Sequence, residues 1–485
     1  MRGAVLLAVT GAVCKAIGAL YRIPLANLLG AEGMADYQAA YPVYAFLLVL
    51  STGGLPVAIS KLVAERDEKG AARIMKTALM FFAPVGALLA LLLFIIKDGV
   101  AGAIGLPSSS FSIGAIAPSL FFATCVSVLR GYFQGKCDMR PSAASQLTEQ
   151  VIKLFLGLFL AYRLLQYGPA ISAAGAMAGV TAGEAAAFLM MMFVYMRKKT
   201  PTPSGGKRGA LADIMRIALP VTISAAIVPI EGLIDSALVM NLLMKGGMTA
   251  EAAKASFGLF TGYVCPIANM PCVITMAINQ SLLPSMSEAA GDMAARERRA
   301  RLGMTSALAV GSFMTAGLFF FGGAAMRILY PTLSAAELAS ATELMRIDCL
   351  SVILLSVIQV GGAVLHGTGH TRVPLFSMLG GLAVKVGASF VLIPQMGIKG
   401  AALGSVICFV FVAAPMFICT VKMGPCRLSL RRDIAAPAAA VAFAAVLMAF
   451  SAPYAKSFVS TSIIVITCTA VYAIISYKTL RSRTR

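Results

Sequence analysis

Apolar runs of about twenty residues recur from one end of the chain to the other, and TALMFFAPVGALLALLLFIIK at 77–97 is typical. Coiled as a helix, such a run matches the hydrocarbon thickness of a bilayer. Lipid offers the backbone no hydrogen-bond partners, so a crossing segment must satisfy its own N–H and C=O groups. Of the 485 residues, 59% are hydrophobic and 12% are charged, too little charge to cover a soluble surface. The expected fold class is therefore all-α, a polytopic membrane protein.

About fourteen transmembrane helices are expected, near 4–29, 40–64, 77–97, 111–133, 146–167, 171–196, 214–243, 256–285, 303–329, 345–368, 374–394, 400–421, 434–452 and 458–477. The first opens as MRGAVLLAVTGAVCKAIGAL. It is read as a retained helix and not a signal peptide, because Lys15 interrupts its apolar region and many spans follow. Basic residues test the count. One set of alternate loops, with both termini, carries 26 of the 40 lysines and arginines, among them Arg66, Arg140, Lys198, Arg298, Arg372, Lys422 and Arg485. By the positive-inside rule this places both termini in the cytoplasm of a multi-pass protein of the cell (plasma) membrane. The same rule absorbs the net charge of +20, so nucleic acid is not an expected partner. The ten cysteines are scattered without a CxxC pair and read as small apolar fillers.

The longest polar break is RKKTPTPSGGKRGA at 197–210. Its prolines, glycines and basic residues make a solvated linker. The expected organisation is an N-terminal six-helix bundle at 1–196, a basic cytoplasmic linker at 197–213, a C-terminal six-helix bundle at 214–422, and two additional helices with a basic tail at 423–485. The two bundles echo each other. At a constant offset of 232, Gly135 falls on Gly367, Arg140 on Arg372 and Lys153 on Lys385, and GAMAGV at 175–180 resembles GAALGSV at 400–406. The stretches 131–153 and 363–385 each join an even-numbered span to the next, which implies a parallel, pseudo-symmetric repeat suited to alternating access.

Charges inside spans are expensive and point to a partner, a cavity or an interface. In GAVCKAIGALYRIPLANLLG at 11–30, Lys15 and Arg22 share one helix face, with Gly18 and Pro24 permitting a bend. Two readings stand. The pair holds an anionic headgroup such as a diphosphate, which arginine binds through its forked donors and lysine as a point charge. Alternatively, it pairs structurally with Glu149, Glu184 or Glu231. Lys61, Arg130 and Asp348 lie near span ends and could snorkel, and Glu149 and Lys153 are spaced to pair on one helix. Lys385 is the remaining cation within a span. Glu231 and Asp235 in VPIEGLIDSALV are close carboxylates that could share a proton or hold a cation, or could each meet a cation from another helix. His366 and His370 in LHGTGH are too few for a metal site and read as a turn at a helix end. No nucleotide, nucleophile or zinc signature is present. An enzyme is not expected, nor a cofactor beyond a coupling Na⁺ or H⁺.

YRIPLANLLGAEGMADYQAAYPVYAFLLVLSTGGLPVAISKLVAE at 21–65 resembles the first two helices of the stage V sporulation protein B group, and INQSLLPSMSEAAGD at 278–292 resembles the end of its eighth helix. That group belongs to the polysaccharide-exporter branch of the multidrug/oligosaccharidyl-lipid/polysaccharide flippase superfamily, with the MurJ lipid II flippases as relatives. The resemblance implies a pair of six-helix bundles that move undecaprenyl-diphosphate-linked sugars. It implies that Lys15, Arg22 and Lys61 line a central cavity, and that Asp235 stands where some relatives carry a cation-site acid. It also implies a lipid-facing role for the two extra helices.

The leading expectation is a flippase for a polyprenyl-diphosphate-linked cell-wall or polysaccharide precursor, lipid II-like, working in the bilayer and alongside cell-wall synthesis proteins. Its substrate-binding candidates are Lys15, Arg22, Lys61, Arg130, Lys153 and Lys385; its ion-coupling candidates are Glu231 and Asp235. A cation-coupled multidrug exporter of the same superfamily is the alternative, and a non-transporting scaffold for wall synthesis or sporulation is a third reading.

Overall fold

The computed structural model describes residues 2–198, 209–288, 291–422, 429, 433, 435–454, 460–461, 463–469 and 472. The linker core at 199–208 and the tail at 473–485 lie outside the described residues, as do Arg427, Arg431 and Arg432. The regular structure described is helical, with no strand. It runs as α1 (Arg2–Thr52), α2 (Leu55–Ala64), α3 (Glu68–Ile104), α4 (Ser110–Ile116), α5 (Ser119–Gly135), α6 (Met139–Leu164), α7 (Pro169–Arg197) and α8 (Ala210–Lys245). There follow α9 (Ala250–Gly258), α10 (Cys265–Asn269), α11 (Cys272–Glu288), α12 (Met293–Leu329), α13 (Ala335–Asp348), α14 (Leu350–Gly367), α15 (Arg372–Met396), α16 (Ile398–Lys422) and α17 (Ala436–Ser451). Among the described residues, eight helical stretches are long and apolar enough to cross a membrane, nine counting one bent pair. This is a multi-span membrane protein.

Several expected spans are broken where the sequence removes a backbone donor or a side chain. The stretch expected as one helix at 256–285 is α9, a π-helical turn at Leu259–Val264, α10 and α11, with a bend of 49° between α10 and α11. Pro266 and Pro271 lack the N–H groups a continuous helix needs. The span expected at 40–64 breaks at Gly53 and Gly54. A Cβ on Gly54 would collide with the backbone of Ala218, and the Gly54 N–H donates to Thr222 Oγ1 at 3.0 Å. The break therefore seats α8 closely against it. Within α1 the backbone stays helical through Gly18 and Pro24, and turns at Gly30, where φ is 66° and ψ −179°. The bend expected at Gly18 and Pro24 is thus displaced to the residue that adopts such a conformation without a Cβ penalty.

The chain forms two compact units: 1–241 with 249–258, and 242–248 with 259–485. Leu55, Ile59, Val128, Phe133 and Ile214 belong to a core of the first; Met304, Val364, Val412 and Met416 belong to a core of the second.

Each unit contains a tight helical hairpin, and their registers match. In the first unit a Cβ on Gly179 would collide with Gly157, and one on Gly175 would lie 3.0 Å from the Leu160 backbone. In the second, Gly404 faces Ser389 at 3.6 Å, and a Cβ on Gly400 would collide with the Leu392 backbone. Gly157 and Ser389 are 232 apart, as are Leu160 and Leu392, the offset seen between Lys153 and Lys385. Glycines four apart let helix backbones approach where lipid supplies no hydrophobic drive for association. The α6–α7 and α15–α16 hairpins are thus the same device used twice.

Candidate functional site: a charged cluster inside the first unit

Gly183 continues the stripe of Gly175 and Gly179 on α7, and a Cβ there would lie 2.7 Å from the Glu149 carbonyl oxygen. This close approach brings α7's next residue, Glu184, to α6's Glu149. On α5, Arg130 reaches the same place. Its Nη2 donates to Glu149 Oε2 at 3.0 Å, and its Nε donates to Ser145 Oγ at 2.9 Å. Ser145 in turn donates to the Ser142 carbonyl at 2.8 Å, and Gln150 Nε2 donates to the other Glu149 oxygen at 3.1 Å. Arg130 and Glu149 are each under one-fifth exposed. The snorkelling expected of Arg130 and the Glu149–Lys153 pairing are both corrected here. The helix hairpin aims Glu149 at α5, so the arginine takes it.

Lys153, one turn further along α6, lies over the Tyr21 ring, 5.3 Å from its centroid. A cation over an aromatic face keeps its charge while losing water. Arg22 follows Tyr21 on α1, half-buried and within electrostatic range of Lys153. Among the described residues, no carboxylate lies within ion-pair distance of either Arg22 or Lys153. The cluster so far holds three cations, Arg22, Arg130 and Lys153, against two carboxylates, Glu149 and Glu184. Tyr37, Tyr41 and Tyr44 from the second half of α1 complete its surroundings.

The other expected residues fall elsewhere. Lys15 is an exposed side chain on α1, one turn before Gly18, which faces Gln150 of α6. Lys61 is 59% exposed near the end of α2, 4.0 Å from Glu65. Glu231 and Asp235 are half-buried on α8. Lys385 is buried in the second unit, and Asp348 is buried at the end of α13. His370 Nδ1 meets Thr368 Oγ1 at 3.2 Å in the turn between α14 and α15, as its glycine neighbours suggested.

One group was missed from the sequence. Asp36 is fully buried in α1, accepts from Lys254 Nζ of α9 at 2.8 Å, and accepts from Ser108 Oγ at 2.6 Å. Pro107–Ser109 form a 3₁₀ turn that presents Ser108 to this pair. Nothing local in the sequence marks it, because its members are 72 and 218 residues apart.

Comparison with known proteins places the chain. The family model described as "Polysaccharide biosynthesis protein" matches residues 1–290. Stage V sporulation protein B of Bacillus subtilis (strain 168) is 31% identical over 429 residues, covering 85% of this chain and 82% of that protein. Lipid II flippase MurJ of the same organism is 22% identical, covering 84% and 80%. Among solved structures, an inward closed conformation of lipid II flippase MurJ superposes with a TM-score of 0.77 at 14% identity, over 99% of this chain and 100% of that one. An inward-facing multidrug resistance MATE transporter of the MOP superfamily superposes with a TM-score of 0.72 at 17% identity, over 83% and 92%. With more than half its length under one family model and a 31% identical relative along most of the rest, the chain belongs to the polysaccharide biosynthesis protein family.

Proposed function

We propose that this protein is a flippase that moves an undecaprenyl-diphosphate-linked cell-wall or polysaccharide precursor, lipid II-like, across the plasma membrane by alternating access. The observation that carries the reading is the cation excess in the first unit. Arg130 occupies Glu149, and Arg22 and Lys153 are left without a carboxylate at ion-pair distance among the described residues. Such a surplus at membrane depth is stable only with an anion or water to face it. A diphosphate supplies that anion, with Arg22 as the forked donor and Lys153 as a point charge. Lys15, on the same face of α1, extends the path, and the polyprenyl tail stays in lipid.

The relatives support this reading: one is a sporulation protein and one is named a lipid II flippase. The protein breaks no covalent bond. A Na⁺ or H⁺ gradient, or the membrane potential, drives it, with Glu231 and Asp235 as coupling candidates and both termini cytoplasmic.

The test is flipping of labelled lipid II and of other polyprenyl-diphosphate sugars by the full chain in proteoliposomes. Transport of at least one, lost in Arg22→Ala and Lys153→Ala, is the expected result. Folded protein that moves none of them ends the reading. The fold shared with the MATE transporter makes drug export the rival. Extrusion of a cationic dye in place of lipid transport would favour it.

A further inference from the structure

Glu184 is 6% exposed, and its Oε2 atom is buried with no hydrogen-bond partner. The groups packed around α7 account for its surroundings. From α1 come Tyr44, with Tyr41, Tyr37 and Arg22 further along; from α5 comes Arg130; from α6 come Glu149 and Lys153; α4 brings no titratable group. Arg130's hydrogen bonds go to Glu149 and Ser145. The second carboxylate of the cluster therefore has no ion pair among the described residues.

A buried carboxylate oxygen without a partner is costly as an ion and tolerable as an acid. A metal cation would need several oxygen ligands and would sit beside a guanidinium. No group of three or more metal-binding side chains exists among the described residues. A proton needs one oxygen and no coordination shell.

We propose that Glu184 is a proton-binding site that couples proton movement to the cations of the first unit. This rests on the flippase reading for its purpose, but not for its existence. The step is a simple protonation: Glu184 Oε2 takes a proton from the aqueous side on which the anion loads and gives it up on the side where the anion leaves. With Glu184 neutral, Arg130 stays on Glu149, and Lys153 and Arg22 are available to an anion. With Glu184 ionised, it competes with that anion for Lys153 and for Arg130. Proton and anion thus load together and leave together. The second hairpin does not repeat the two carboxylates. At the offsets that align the two hairpins, Gly381 stands for Glu149 and Phe409 for Glu184, while Lys385 stands for Lys153.

Two measurements test it. Infrared difference spectra of the full chain in lipid, in H₂O and D₂O, follow the C=O band of protonated carboxylic acids during a pH titration. The wild type and Glu343→Gln, a change at a surface pair, should share a titrating band that Glu184→Gln lacks; an unchanged band in Glu184→Gln overturns the proposal. This readout is independent of substrate, so it decides the site even if no precursor is transported. In proteoliposomes that flip, the ratio of rates with a pH gradient acidic on the precursor-loading side to rates without one should exceed one for the wild type and fall to one for Glu184→Gln. A gradient response that survives in a folded Glu184→Gln also overturns it. Glu149→Gln separates the two acids: loss of the infrared band there and not in Glu184→Gln would move the proton to Glu149 and defeat the assignment.

Discussion

Arg130 Nη2 donates to Glu149 Oε2 across 3.0 Å, and that pair determines what the neighbouring cations face. With Gln150 on the other Glu149 oxygen, the carboxylate is already engaged on both sides. Lys153, one turn away on the same helix, is left to the face of Tyr21.

Breaking this pair from one side should cost more than removing it. Arg130→Met strands a largely buried carboxylate and should destabilise the protein by about 3 kcal/mol. The double change with Glu149→Met should recover most of that. The chain has no tryptophan, but buried Cys125 lies on the same helix as Arg130. Thermal unfolding followed by a thiol-reactive dye is therefore the measurement. Equal losses in the single and double variants would show that the two residues are not coupled.

The two hairpins should respond differently to the same small substitution. Gly179→Ala places a methyl group against Gly157 and should cost roughly 1–3 kcal/mol through overpacking. Gly404→Ala meets Ser389 Oγ at 3.6 Å, an ordinary contact, and should be close to neutral. Unfolding midpoints of the two variants, measured side by side, check the order; a Gly404→Ala loss as large as that of Gly179→Ala contradicts the packing described.

The buried Asp36–Lys254 pair and the exposed Glu343–Lys399 pair provide a contrast in burial. Lys254→Met leaves Asp36, fully buried, with only Ser108 and should cost about 3 kcal/mol or more. Lys399→Met removes a surface pair and should cost under about 1 kcal/mol. Denaturation of both variants in one detergent should reproduce this separation, and similar losses would refute it.

Transport should divide the basic residues by their surroundings. Loss of a charge-assisted hydrogen bond worth about 1.5 kcal/mol corresponds to roughly tenfold in binding. Arg22→Ala and Lys153→Ala should each weaken precursor binding by at least that much. Lys61→Ala should change it little, because Lys61 is 59% exposed and 4.0 Å from Glu65. Precursor binding to the purified protein, measured across all three, would count against the site if Lys61→Ala proved the most damaging.

The sequence by itself determined the class of structure. Apolar runs of bilayer length leave an all-helical, multi-span protein as the way to satisfy the backbone in lipid. The repeat was also legible, since Lys153 and Lys385 share the offset of the hairpin contacts. The sequence also marked out charged residues inside apolar runs, because an ionisable group there stands out regardless of its neighbours. It did not show their partners. Glu149 has Lys153 four residues away, yet it pairs with Arg130 on another helix. Asp36 meets Lys254 from 218 residues away. Spacing along a helix reports which side chains share a face, but only packing decides what that face meets. Here glycines 175, 179 and 183 draw α7 onto α6, and so decide which carboxylates and cations are brought together.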